Sequence, residues 1–219
     1  YNLFQVLLND GDEVIIPAPY WLSYPQMVKL AGGKPIFVNS AAEDGFKINL
    51  QDLKAKISSK TKFIILNTPN NPTGRVMSKE ELVQIAELAR ENKNINILSD
   101  EIYELILKKE FKHFSLATLA TDLKERIFII NGFAKGWAMT GWRIGYLVGP
   151  KDIIKASSAL QSQSTSNVCS FVQKGALEAL KVNNEFFKNI NNHYDQRREL
   201  VYEGLKNIKG VFIHKPNGA

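Results

Sequence analysis

IFIINGFAKGWAMTGWRIG, residues Ile127–Gly145, is the stretch that decides how this sequence is interpreted. Its first four residues form the kind of apolar run that is typical of a buried strand. Lys135 follows among apolar and small residues, and Arg143 comes later in the same stretch. Because burying an ammonium group is costly, a lysine in this setting either reaches solvent from the strand end or is a desolvated, reactive amine.

A desolvated lysine and a nearby arginine together suggest one kind of cofactor. Desolvation lowers the pKa of a lysine, and the neutral amine can then form a Schiff base with a carbonyl group. The planar guanidinium of Arg143 suits a phosphate group. Pyridoxal 5'-phosphate (PLP) carries both an aldehyde and a phosphate, so Lys135 with Arg143 predicts a PLP site.

Strand-like and helix-like segments alternate along the chain around this stretch. This alternation predicts an α/β fold with three α/β/α layers and a mostly parallel sheet. The predicted strands are Glu13–Pro17, Lys34–Val38, Phe63–Leu66, Ile95–Ser99, Ile127–Ile130, Tyr146–Val148 and Gly210–His214. The predicted helices are Tyr1–Asn9, Ser23–Ala31, Asn49–Ile57, Ser78–Asn92, Asp152–Gln163, Asn167–Lys181 and Glu185–Ile208. Ser78 and Glu81 form a capping box at the start of the fourth helix.

Sheets of this kind bind their ligands outside the carboxyl ends of the strands. Polar and aromatic residues follow several predicted strands at that end: Tyr20, Trp21, Asn71, Asp100 and Tyr103. We therefore expect these side chains to lie at one edge of the sheet, together with Lys135 and Arg143, although they are far apart in sequence.

Each role in a PLP site has a candidate among these residues. Asp100 can hold the proton on the pyridine nitrogen, which makes the ring an electron sink. The amide of Asn71 and the hydroxyl of Tyr103 can donate to the phenolate oxygen of the ring. Trp21 or Tyr20 can stack on the ring face.

The same residues also have ordinary structural interpretations. Asp100 can be the N-cap of a helical turn, and every residue of Asn71–Gly74 is turn-forming. Tyr103 and Trp21 can be aromatic residues of the core. The functional interpretation gains weight because all the roles are filled at strand ends in one chain.

The remaining polar residues suggest no further site. Glu101 and Glu104 are expected to be solvated, and Cys169 is expected to be a small buried hydrophobic residue. The three histidines show no ligand spacing and are interpreted as surface or hydrogen-bonded residues: His113, His193 and His214. We therefore expect no metal site.

Composition argues against two classes of partner. The net charge is +6, but the lysines are spread along the chain, so we expect no nucleic acid partner. No apolar run reaches the length of about 18 residues that a membrane span requires, so we expect no membrane association. A single cysteine is compatible with a cytoplasmic protein.

Four segments carry a resemblance to a known family. They are APYWLSYPQMVKLAGG (Ala18–Gly33), NTPNNPTG (Asn67–Gly74), SDEIYE (Ser99–Glu104) and NGFAKGWAMTGWRIGY (Asn131–Tyr146). The sequence resembles the class I and II aminotransferases of PLP fold type I, and most closely the bacterial-type aspartate aminotransferases. Ala134 departs from the family pattern, because many relatives carry a serine directly before the lysine.

The resemblance implies a role for each of six residues. They are the Schiff-base lysine (Lys135), the partner of the pyridine nitrogen (Asp100), the ligands of the phenolate oxygen (Asn71 and Tyr103), the residue against the ring (Trp21) and the phosphate ligand (Arg143). Asn71 and Trp21 would also contact the substrate.

The resemblance also implies an activity and an assembly. The family transfers an amino group between an L-amino acid, here most closely aspartate, and a 2-oxo acid such as 2-oxoglutarate, and its members are homodimers. Residues 1–185 would form the PLP-binding large domain without its N-terminal part, and residues 186–219 the connecting helix and the beginning of the small C-terminal domain. The chain would thus be an internal fragment, and the Gly-rich phosphate-binding loop and the arginine that binds the substrate carboxylate would lie outside it.

Three alternatives stay open from the sequence alone. The first is an aminotransferase of another specificity, for prephenate, aromatic amino acids, alanine or kynurenine. The second is the aminotransferase-like sensing domain of a transcription regulator. The third is that this chain by itself is inactive.

Overall fold

Six strands form a single, mostly parallel sheet in the computed structural model, which describes residues 1–219. The strands are β1 (Glu13–Ala18), β2 (Lys34–Asn39), β3 (Thr61–Asn67), β4 (Asn96–Asp100), β5 (Ile127–Gly132) and β6 (Gly145–Val148). Their order is β2-β1-β3-β4-β5-β6, and only β6 runs antiparallel to its neighbour. The predicted mostly parallel sheet is confirmed.

Eight α-helices connect and cover the strands. They are α1 (Asn2–Leu7), α2 (Ser23–Leu30), α3 (Leu50–Ala55), α4 (Lys79–Glu91), α5 (Leu116–Leu119), α6 (Lys151–Ser164), α7 (Ser170–Ala179) and α8 (Asn184–Leu205). The predicted capping box is present, since Glu81 N donates to Ser78 Oγ and Ser78 N donates to Glu81 Oε2. None of these helices combines the length and the apolar composition that crossing a membrane would require.

Strand β3 shows how the sheet separates two apolar cores. Successive side chains of a strand point to opposite faces of the sheet. Ile64 and Leu66 therefore pack in one core with side chains of α3, α4 and α5, whereas Phe63 and Ile65 pack in the other with α1 and α2. Helices on both faces of the sheet give the three layers that the sequence predicts.

Two predictions about individual segments are wrong. Residues 210–214 do not form a strand: a strand requires hydrogen bonds to a neighbour, and residues 212–214 make no backbone hydrogen bonds. Cys169 is exposed at the start of α7, where no other element covers it, so it is not a buried hydrophobic residue.

Candidate active site

One cavity at the carboxyl ends of β3, β4 and β5 brings the predicted site residues together. Its volume is about 450 Å³, and its lining includes all six of them: Trp21, Asn71, Asp100, Tyr103, Lys135 and Arg143. Tyr20 is not among the lining residues, because its ring stacks on Phe37 at a centroid distance of 5.0 Å. Of the two aromatic candidates, only Trp21 faces the cavity.

Asp100 is a buried carboxyl group at the end of β4. Its Oδ2 accepts a hydrogen bond from the Tyr24 hydroxyl at 2.7 Å, and its Oδ1 accepts one from Ile102 N at 3.2 Å. Burial raises the pKa of Asp100 above the ordinary value, and the two hydrogen bonds only partly offset this effect. No cationic side chain is hydrogen-bonded to the carboxylate, so it can bind a positively charged ligand group.

Tyr24 is a site residue that the sequence analysis missed. It is buried in α2 and lines the cavity, and the Trp21 ring meets its ring edge-on at 5.4 Å. Burial, followed by the negative charge of Asp100, raises the pKa of Tyr24 well above its ordinary value, so the hydroxyl stays protonated and donates. Its position three residues after Trp21, within the family segment Ala18–Gly33, is the signal that could have revealed it.

Asn67 links the loop that carries Asn71 to the end of β4. Its side-chain Nδ2 donates to the Asp100 backbone oxygen at 3.0 Å, and its Oδ1 accepts from Asn71 N at 2.8 Å. One buried carboxamide therefore fixes the backbone of two predicted cofactor ligands, Asn71 in the loop after β3 and Asp100 at the end of β4. Asn67 lies in the family segment Asn67–Gly74, but nothing in the sequence pattern indicates this role.

Lys135 and Tyr103 approach each other across the cavity. The Lys135 Nζ atom lies 5.5 Å from the centre of the Tyr103 ring, and the lysine side chain is half-buried. An ammonium group is attracted to the face of an aromatic ring at this distance. The loop around Lys135 is held by backbone hydrogen bonds from Ala138 N to Lys135 O and from Met139 N to Phe133 O.

Arg143 follows the short 3-10 turn Thr140–Trp142 and adopts a left-handed backbone conformation, with φ of 52°. Its Nη1 donates to Thr140 O at 2.8 Å, and this is its only hydrogen bond within the protein. Most of its N–H donors therefore lack a protein partner and can bind an anionic group at the cavity.

The prediction that Glu101 is solvated is wrong. Glu101 N still donates to Ile130 O, so the strand geometry continues and the side chain points away from that of Asp100. There its carboxylate is 3% exposed and accepts hydrogen bonds from Ser99 Oγ and Ser115 Oγ, each at 2.9 Å. His113 Nε2 lies 3.2 Å from the same carboxylate.

Glu104 is also only partly exposed, contrary to the prediction. Its Oε1 accepts a hydrogen bond from Asn131 Nδ2 at 2.6 Å, because the turn after β4 brings it beside the end of β5. Ligand atoms of Glu101, Glu104 and His113 lie within 4.8 Å of one another. Sequence spacing gave no indication of this cluster, since the turn after β4 and the loop before α5 bring it together.

The family follows from a comparison of the whole chain with known proteins. The family model described as aminotransferase class I and II matches residues 1–219. This chain belongs to that family. The probable aspartate/prephenate aminotransferase of Rickettsia felis is 48% identical over 219 residues, which are 100% of this chain and 54% of that protein. The aspartate aminotransferase of Bacillus subtilis is also 48% identical over 219 residues, covering 100% of this chain and 56% of that protein.

A solved aminotransferase structure agrees with the fold. The crystal structure of the aspartate aminotransferase from Rhizobium meliloti matches with a TM-score of 0.96 at 38% identity, over 100% of this chain and 55% of that one. The α/β fold is thus the fold of a known aminotransferase. The chain spans about half the length of the curated relatives that it matches.

Proposed function

We propose that this chain is part of a PLP-dependent aminotransferase that transfers an amino group between aspartate and 2-oxoglutarate. The observation that carries the proposal is the cavity at the sheet edge, where an amine, a buried carboxyl group and a guanidinium face one space. Those three groups are the ones that a cofactor with an aldehyde, a basic ring nitrogen and a phosphate needs.

The residues present fit PLP. A volume of about 450 Å³ lies in the range of small-molecule pockets, roughly 300 to 1,000 Å³. The buried Asp100 carboxylate lacks a cationic partner, and a protonated pyridine nitrogen would supply one. Arg143 has donors to spare for a phosphate, and Asn71 and Tyr103 line the same cavity with groups that can donate to a phenolate oxygen.

In this proposal, the residues of the chain bind the cofactor, and one of them also transfers a proton. When bound, PLP supplies an electrophilic carbonyl and a ring that accepts electrons. Lys135 would hold the cofactor through its amine and would act as the general base that takes the proton from the α-carbon of the substrate. Asp100 would keep the ring nitrogen protonated, and Trp21, which lines the same cavity, would lie against the ring.

The choice of aspartate is supported by the names of relatives, which include an aspartate aminotransferase and a probable aspartate/prephenate aminotransferase. Prephenate is therefore the second candidate substrate. A panel of amino donors and 2-oxo acids, assayed with the full-length protein, separates the two. We also propose the division at residues 185 and 186, a homodimer and a cytoplasmic location, on the grounds given by the sequence.

Covalent labelling tests the cofactor assignment directly. PLP is added to the full-length protein, the visible spectrum is recorded, the sample is reduced with borohydride, and the labelled peptide is mapped. We expect the label on Lys135, loss of the label in Lys135→Ala, and full label in Lys151→Ala, which removes an exposed lysine at the start of α6. Label spread over surface lysines in the full-length protein would contradict the proposal.

A further inference from the structure

The side chain of Asn191, in helix α8, is hydrogen-bonded to the segment that follows Tyr103. Asn191 Oδ1 accepts a hydrogen bond from Leu107 N at 3.1 Å, and Asn191 Nδ2 donates to Leu105 O at 2.9 Å. The carboxamide thus pairs with two backbone groups in the way that a neighbouring strand would. We propose that Asn191 is a positioning residue for Lys135 and Tyr103, an inference that rests on the proposed function.

The segment held by Asn191 packs directly against the residue after the lysine. A Cβ atom placed on Gly136 would lie 2.8 Å from Leu105 Cδ1 and 2.9 Å from Leu105 Cβ. Leu105 therefore fits closely over the peptide next to Lys135, and only glycine leaves room for it. A shift of Leu105 would change the space available to the backbone that carries Lys135.

The same segment also fixes the aromatic ring that faces the lysine. Ile106 N donates to Tyr103 O at 2.8 Å and closes the turn that follows Asp100. The Tyr103 ring lies 5.5 Å from Lys135 Nζ. Asn191 thus acts on the cavity from two sides, through Leu105 to the lysine loop and through this turn to Tyr103.

A second contact from α8 reaches the lysine loop itself. Phe187 precedes Asn191 by four residues, and positions four apart lie on the same face of a helix. The Phe187 ring meets the Trp137 ring edge-on at 5.5 Å, and Trp137 Nε1 donates to Ala179 O at 3.0 Å. One face of α8 therefore contacts both segments that flank the amine, so movement of this helix would be transmitted to Lys135.

The adjacent Asn192 provides a matched control. It has the same side chain, lies on the same helix, is exposed and makes no side-chain hydrogen bond within the protein. We compare Asn191→Leu, Asn191→Asp and Asn192→Leu in the PLP-loaded full-length protein. Asn191→Asp keeps an acceptor for Leu107 N and loses the donor to Leu105 O, so it should retain part of the function.

Five readouts separate positioning from stability. We measure the kinetic constants kcat and KM with aspartate and 2-oxoglutarate, the Kd for PLP, the thermal midpoint, the pH midpoint of the visible absorbance band, and the hydrogen exchange of Leu107 N. For Asn191→Leu we expect kcat to fall about tenfold with little change in KM, the pH midpoint to shift, and Leu107 N to exchange its hydrogen faster. We expect a smaller change for Asn191→Asp and none for Asn192→Leu.

Two results would overturn the inference, and they differ in what they say about the proposed function. If borohydride labels Lys135 in the wild type, but Asn191→Leu keeps its kcat and pH midpoint, then Asn191 has at most a structural role, even when the thermal midpoint falls. If borohydride does not label Lys135 in the wild type, the proposed function fails and this inference fails with it.

Discussion

Asp100 and Glu101 are adjacent carboxyl groups at the end of β4, and both are buried, yet their surroundings differ. The Glu101 side chain accepts from two serine hydroxyls and lies against an imidazole. The Asp100 side chain, on the other face of the sheet, accepts from one phenol and one backbone N–H, and it borders the large cavity. The two residues share chain position and charge, but only Asp100 faces a space that a ligand can fill.

This difference distinguishes a carboxylate that stabilises the fold from a carboxylate that can bind a ligand. Buried polar groups are normally satisfied by hydrogen bonds, and Glu101 follows that rule within the protein. Asp100 has no cationic hydrogen-bond partner, and burial raises the pKa of its carboxyl group. A buried group with a raised pKa beside a cavity is a candidate for function, whereas an equally buried group with a full set of partners holds the fold together.

Of the two carboxyl groups, Asp100 should give the larger effect on activity when it is replaced. Asp100→Asn keeps the size of the side chain and removes the charge that would hold a proton on the ring nitrogen of PLP. We expect kcat/KM for transamination to fall about 1,000-fold, the size typical for the loss of one preorganised electrostatic partner. Steady-state kinetics on the full-length protein measure it.

Glu101→Gln is the control for that experiment, since it changes the neighbouring carboxylate in the same way. We expect kcat/KM to stay within about threefold of the wild type in this variant, because its side chain faces the opposite side of the sheet. Equal losses in the two variants would show that the two carboxyl groups do not differ in function.

Removing the Glu101 side chain should give the largest effect on stability. Glu101→Ala leaves Ser99, Ser115 and His113 without their shared acceptor in a buried place. We expect the free energy of unfolding to fall by about 3 kcal/mol, as for other buried networks that lose one partner. Urea denaturation of this chain measures the change, and a loss below about 1 kcal/mol would contradict the structural role.

The sequence predicted the residues that line the cavity better than the residues that hold them in place. Lys135, Asp100 and Arg143 could be identified because strand ends in a parallel sheet share one edge, and because each residue type suits one part of PLP. Tyr24 and Asn67 could not be assigned in that way. Their roles come from hydrogen bonds to Asp100, and contacts between elements that are far apart in sequence are not visible in the spacing of residues along the chain.

The errors have a similar physical cause. Glu101 looked like a solvated residue because charged side chains are rarely buried, and its three partners come from positions that the fold brings together. The strand predicted at residues 210–214 satisfied the local pattern, but no neighbouring strand pairs with it in this structure. Local pattern predicts which conformation a segment favours, and the partner decides whether the segment adopts it.

Removing the Tyr24 hydroxyl tests whether Asp100 depends on its one side-chain donor. Tyr24→Phe keeps the ring against Trp21 and deletes the 2.7 Å hydrogen bond to Asp100. We expect the Kd for PLP to rise about tenfold, which corresponds to roughly 1.4 kcal/mol and is typical for a hydrogen bond to a charged group. Fluorescence titration with PLP measures it. Tyr20→Phe, which leaves the stacking on Phe37 in place, should bind PLP as the wild type does.

The smallest effect we expect is in the pH dependence of unfolding without cofactor. The pKa of Asp100 is raised in the folded chain above the ordinary 3.8, so the folded state holds this proton more tightly than the unfolded state does. Its contribution therefore favours folding most below pH 3.8 and is lost as the pH rises through the raised pKa. Asp100→Asn removes this contribution, so the stability of the variant relative to the wild type should increase as the pH rises from 4 to 7. Taking the difference between the two proteins cancels the exposed carboxyl groups, which titrate in both. Urea denaturation across that range measures the stability of both proteins. If the stability of the variant relative to the wild type falls as the pH rises, the protein alone stabilises Asp100 as a carboxylate. That result would remove the contrast with Glu101.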